Sequence, residues 1–215
     1  MRFSTNRRHH TFFHRYKYIE FNDLLTQEEA YIFSQRLTKT LQYVDYDIWR
    51  YNRFNKQFIL HSKFAEIASN LTKIRPIRIA FDQLFYTLKD SDLLTNSLSL
   101  NEISCIQGII CGCILSLPRL LNKYPSSIFK ENHFTSNPIA PQKIGNGVFF
   151  TPDLPLNFDY LIHTPNTLQL LIVYAEYKSL YTYQKINPYT HTLKKFGYVF
   201  GDRLKNSTHP VLFSG

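Results

Sequence analysis

The chain predicts an α+β or mainly β fold, with helices packed on one side of a sheet or barrel. Three observations carry this. The helical signals fall early, the long β-branched and apolar runs fall late, and the two do not alternate as they would in a doubly wound sheet. A chain of 215 residues with 44% apolar and 16% aromatic content has enough material for a sizeable core. We expect one domain over 1–215: a basic N-terminal arm (1–15), a strand and helices (16–76), and a β core (77–215) holding a long loop at 118–146.

Each element has its own signal. Residues 1–16 carry Arg2, Arg7, Arg8 and Arg15 with three histidines and no acid, and read as a loose arm or an added edge segment. "YKYIEF", Tyr16 to Phe21, alternates as a strand does. Thr26 followed by Glu29 is a capping box, and Ala30, Phe33, Leu37 and Leu41 recur at helical spacing, so a helix runs from about Gln27 to Leu41. A second begins near Ser62, lines one face with Phe64, Ile67, Ala68, Leu71 and Ile74, and stops before Pro76.

The period then changes. "IRIAFDQLFYTL", Ile77 to Leu88, is a strand with room for a bulge. "DSDLLTNSLSLN" is turn-rich. "EISCIQGIICGCILSL" is nearly continuous in apolar residues and suits a strand buried on both faces or a bent core hairpin. Four prolines mark 118–146 as irregular, "GVFF" is a short strand, and "LQLLIVYAEY", Leu168 to Tyr177, is a long buried one. The tail reads as short strands and turns.

Composition limits function. Net charge is +9, from 25 basic and 16 acidic residues, which favours anionic partners such as nucleic acid or acidic metabolites. Three clustered cysteines, Cys105, Cys111 and Cys113, make a poor disulfide framework and fit a reducing, cytoplasmic setting. Their odd numbering places all three on one face of an unbroken strand, as buried thiols rather than soft-metal ligands. The basic start lacks an apolar signal region, and the longest apolar stretch, Ile103 to Leu117, is too short to span a membrane, so no membrane insertion is expected. "WRYNRFNKQF", Trp49 to Phe58, interleaves Arg50, Arg53 and Lys56 with aromatics. It reads as an edge strand, or, with Arg7 and Arg8, as an anion- or single-strand-binding surface.

A family is suggested by the order of these pieces. "YIEFNDLLTQEEAYIFSQRL" resembles the opening of phytanoyl-CoA dioxygenase-like proteins. "CIQGIICGCILSL", then "GNGVFFTPDLPLN" and "LQLLIVYAEY", is similar to their double-stranded β-helix (jelly-roll, cupin-like) core, over about residues 16 to 180. The resemblance implies Fe(II) held by two histidines and a carboxylate, with 2-oxoglutarate as cosubstrate. It places the first histidine and the acid as a His-x-Asp or His-x-Glu pair near "SLSLNE", and the distal histidine at Leu156. A basic residue for 2-oxoglutarate should follow.

None of the eight histidines is followed two positions later by an acid, and Lys143 to Lys178 encloses no Lys or Arg. We therefore expect no cofactor and an inactive oxygenase frame. It would serve as a binding or regulatory protein for an unknown small molecule or protein, with a residual pocket of Leu156, Phe149 and Tyr174. Two alternatives remain. One is a divalent-metal-responsive regulator that binds nucleic acid. The other is an active non-haem iron oxygenase with unusual ligands, His163 or His133 with Asp153 or Asp159.

Overall fold

A computed structural model describes residues 5–40, 45–85, 97–120, 139–141, 143–164 and 166–215, with the side chains of 38–40 excluded. His133, Leu41 and most of the 118–146 loop lie outside these residues, as does the greater part of the turn-rich connection before Ser97.

The long apolar runs pair with one another. Strand β4 (Ile106–Pro118) and strand β7 (Thr167–Tyr181) form the centre of a six-stranded antiparallel sheet. Around them stand β5 (Gly147–Phe150), β1 (Tyr18–Phe21), β2 (Ile77–Phe85) and β8 (Val211–Phe213), in the order β1-β5-β4-β7-β2-β8. A second sheet holds only β3 (Ser97–Leu98) and β6 (Leu156–Asn157). Successive side chains on a strand point to opposite faces. The central strands are mostly apolar over residues 109–117 and 168–175, where both faces are covered.

One face of the large sheet carries helices α1 (Arg7–Tyr16), α2 (Gln27–Thr40), α3 (Arg53–Ile59) and α4 (Ser62–Thr72). There Leu168, Leu170, Ile172 and Tyr174 of β7 meet Cys113, Leu115 and Leu117 of β4 and Phe33 and Phe64 of the helices. The other face is the inside of the curled sheet. Its core takes Leu171, Val173 and Ala175 of β7, Ile114 of β4 and Phe150 of β5. It also takes Leu156 and the short helix α6 (Phe158–His163). Between β3 and β4 a single helical turn, α5 (Leu100–Ile103), is capped by Ser99 and Glu102.

Several expectations change. The N-terminal arm is a helix: Asn6 accepts the His9 N–H at 3.1 Å, the His9 ring accepts the Asn6 N–H at 3.3 Å, and Phe13 buries itself in the core. "WRYNRFNKQF" is not an edge strand. Asn52 caps α3 by accepting the Asn55 N–H at 2.8 Å, and its aromatics fall at helical spacing, so Phe58 stacks on Phe33 at 3.5 Å. The cysteines do not share a face: Cys111 and Cys113 lie under the helices and Cys105 lies inside the curl. Two register shifts between Gln107 and Cys111, around Gly108 at φ 90°, break the alternation. The bulge expected in β2 is present, between Ile79 and Phe81.

The glycine turn before β5 is a structural clamp. Gly145 has φ 87°, and a Cβ there would lie 2.4 Å from the Leu25 carbonyl oxygen, so no other residue fits without a shift. Next to it, buried Asn146 accepts the Asp23 N–H at 3.2 Å and donates to Glu20 and Asn22, both at 2.8 Å. The turn thereby fastens the start of the chain to the sheet.

Candidate functional site

The first candidate is the mouth of the curl, where β3 and β6 meet. Ser97 pairs with Asn157, and Leu98 pairs with Leu156. These are the stretches on which the family resemblance places the two histidine ligands, and here they pair with each other. Directly opposed residues on antiparallel strands have Cβ atoms about 5 Å apart. The side chains there are wrong for Fe(II), which needs imidazole nitrogen and carboxylate oxygen. Leu156 is buried among apolar neighbours that include Phe158, Leu161 and Ile162, with Leu98 packed against them. Glu102, the nearest acid after β3, is spent on its own cap. Its Oε2 accepts the Ser99 N–H and the Ser99 hydroxyl, both at 2.7 Å, and these bonds pull its carboxyl below the usual range. Among the described residues no group of three His, Cys, Asp or Glu side chains converges to hold a metal.

The inner face of β7 continues the same theme. Where a basic residue for a carboxylate ligand would stand, it presents Gln169, Leu171, Val173 and Ala175. Gln169 and its register partner Ser116 are both fully buried, and Gln169 Oε1 and Ser116 Oγ have no partner among the described residues.

The other sequence candidates scatter. Phe149 and Tyr174 belong to the core under the helices and Leu156 to the core inside the curl, so the three do not line one pocket. The alternation of the strands is the reason: Phe149 and Tyr174 share a sheet face with Cys113 and Ile172, and Leu156 lies across the sheet. His163 ends α6, exposed, with Nδ1 3.1 Å from Asp159 Oδ1 one turn back. Asp153 is exposed and faces Lys17 at 3.7 Å. Arg7 and Arg8 are exposed on α1, and Arg53 and Lys56 on α3.

Arg50 has a different fate from its neighbours. Its Nε donates to Asp47 Oδ2 at 2.8 Å, Nη1 donates to the Thr208 carbonyl at 2.6 Å, and Nη2 lies 3.1 Å from His209 Nε2. The guanidinium also sits 4.1 Å from the Trp49 ring centre. It is a clamp between the helical layer and the tail.

The second candidate lies at the opposite end of the large sheet and was not singled out from sequence. Arg78 of β2 is 1% exposed. It donates through Nη1 to the Leu204 carbonyl and through Nη2 to Asn206 Oδ1 at 3.0 Å, and its Nε is buried with no partner. Its register partner on β7 is Ala175, eight positions from Thr167, hence about 26 Å along the strand from the β6 end. A cavity of about 460 Å³ opens beside it, lined also by Tyr177, Lys178, Asp202, Arg203 and Lys205. The sequence did hold a signal: an arginine between Ile77 and Ile79 in a buried strand.

Burial sets the protonation of this region. His209, fully buried, is pushed down to about 3, first by desolvation and then by the charges of Arg50 and Arg78. Asp82, fully buried, is raised well above the carboxylate range by desolvation, although it accepts the Ile48 and Trp49 N–H groups at 3.0 and 3.2 Å. Burial also raises Cys111 and Cys113 and pushes Cys105 up to about 12, so none is a ready thiolate.

Comparison with solved structures agrees with this architecture. The chain is similar to the non-heme alpha ketoglutarate dependent epimerase SnoN from nogalamycin biosynthesis. Identity is 16% and the TM-score 0.68, over 96% of this chain and 97% of that one. It is similar also to the carbocyclase SnoK of the same biosynthesis and cofactor dependence, at 12% identity and a TM-score of 0.69, over 98% and 97%. The likeness is one of fold. The curled antiparallel sheet with its helical layer is the jelly-roll type found in iron/2-oxoglutarate-dependent oxygenases. No protein-family model matches the chain, and no curated protein does either. No helix among the described residues is long and apolar enough to cross a membrane.

Proposed function

We propose that this protein is a binding or regulatory protein built on the oxygenase fold, one that does not use iron chemistry. The carrying observation is the Leu98–Leu156 pair. The two strands that would present histidines to a metal stand side by side and present leucines, one of them sealed in the core. The finer kinship with phytanoyl-CoA dioxygenase-like proteins rests on the order of elements from Tyr18 to Tyr181 and on the glycine turn at Gly145.

The residues that remain at the mouth have structural duties: Leu156 packs, Glu102 caps, and His163 pairs with Asp159. Oxygen consumption by the full chain with Fe(II) and 2-oxoglutarate tests this reading. No uptake above a protein-free control is expected. Uptake that depends on 2-oxoglutarate and disappears with His163→Ala would establish the oxygenase alternative.

A further inference from the structure

Arg78 is a buried cation with no anion beside it among the described residues. Among the described residues the ion pairs are Lys17–Asp153, Arg50–Asp47 and His163–Asp159, and no carboxylate pairs with Arg78. Leaving a buried charge uncompensated is costly, so such a residue ordinarily has a partner. Here no such partner stands among the described residues, and a cavity opens beside the guanidinium. Its wall carries four cations, Arg78, Lys178, Arg203 and Lys205, against one carboxylate, Asp202. Asp202 is turned to the backbone, its Oδ2 accepting the Val199 N–H at 3.0 Å.

The wall is held in place. The Leu204 N–H donates to the Ser179 carbonyl at 3.0 Å and the Tyr181 N–H to the Asp202 carbonyl at 2.8 Å, so the 202–204 segment runs along β7. Arg78 lies 4.8 Å from the Tyr177 ring centre, which fixes its plane. Of its five N–H donors two are committed, to Leu204 and Asn206. A planar fork with spare donors, in a cavity wall shared with Lys178, Arg203 and Lys205, matches an anion with several oxygens and more than one charge. About 460 Å³ exceeds what a lone phosphate needs and falls within the range of small-molecule sites.

We propose that this cavity binds a phosphate-bearing small molecule, with the phosphate held between Arg78 and the cations Lys178, Arg203 and Lys205. This names a ligand class for the binding role above and rests on that reading.

The test is calorimetric titration of the full chain with inorganic pyrophosphate, in phosphate- and sulfate-free buffer at fixed ionic strength. Saturable one-site binding is expected. The exposed pair Lys178→Gln/Lys205→Gln should weaken it about tenfold or more. Arg78→Lys should weaken it comparably, because lysine cannot offer the fork. The pair Arg53→Gln/Lys56→Gln removes the same charge from α3 and should change nothing. Absence of saturable binding, or equal weakening by the α3 pair, would overturn the site. The two readings fail separately: pyrophosphate binding together with stoichiometric iron would refute only the iron-free reading, and neither binding would refute only this site.

Discussion

The two ends of the large sheet differ in what they do with polarity. At the mouth, where β3 and β6 meet, the fold brings two strands together and fills the junction with Leu98 and Leu156. At the far end, β2 buries an arginine beside an open cavity, and no carboxylate among the described residues pairs with it. Polar groups are expensive to bury and persist where something compensates them. The mouth is packed as core, and the Arg78 end holds a charge that no carboxylate among the described residues offsets. Resemblance of fold directs attention to the first, and electrostatics directs it to the second.

The largest expected effect breaks the comparison at the mouth. If that junction is packed core, Leu156→Ala should lower stability by about 2–5 kcal/mol in chemical denaturation. A loss under about 1 kcal/mol would mean that the mouth is loosely filled and able to admit a ligand.

The next effect is in pH and concerns the Arg78 end. His209 has a folded pKa depressed from 6.5 to about 3, so the unfolded chain binds more protons across that window. Stability should therefore rise with pH between about 3 and 6.5, by several kcal/mol at most. His209→Gln should flatten this rise in denaturation curves taken at stepped pH. Asp82 acts with the opposite sign. Its raised pKa means that the folded state holds the extra proton, so this group's contribution declines as pH climbs above 3.8. Asp82→Asn should remove that decline.

A smaller effect tests whether the glycine turn is a clamp. Asn146→Ala leaves the Asp23 N–H without its acceptor and should cost about 1–3 kcal/mol, with no change in pyrophosphate binding. Smallest of all, Arg53→Gln and Lys56→Gln on exposed α3 should stay within about 0.5 kcal/mol by the same denaturation assay.

Much of the fold was legible because local signals and tertiary demand coincide. Thr26 and Glu29 form the capping box of α2, with bonds of 3.1 and 2.8 Å, and the apolar runs became β4 and β7. Helices α1 and α3 were missed because their caps, Asn6 and Asn52, precede segments whose basic and aromatic residues mimic an arm and a strand. The cysteine faces were misjudged because bulges near Gly108 cannot be read from periodicity. The pairing of β3 with β6 is not legible, because strands of two residues carry no alternation to read. The setting of Arg78 is not legible in the sequence, because whether a carboxylate stands beside a cation is a property of three dimensions.

A mouth filled by Leu98 and Leu156 should not hold iron. Elemental analysis of the full chain, loaded anaerobically with Fe(II) and freed of unbound metal, tests it most directly. A small fraction of an equivalent is expected, the same in wild type and His163→Ala. About one equivalent per chain, lost with His163→Ala, would contradict it.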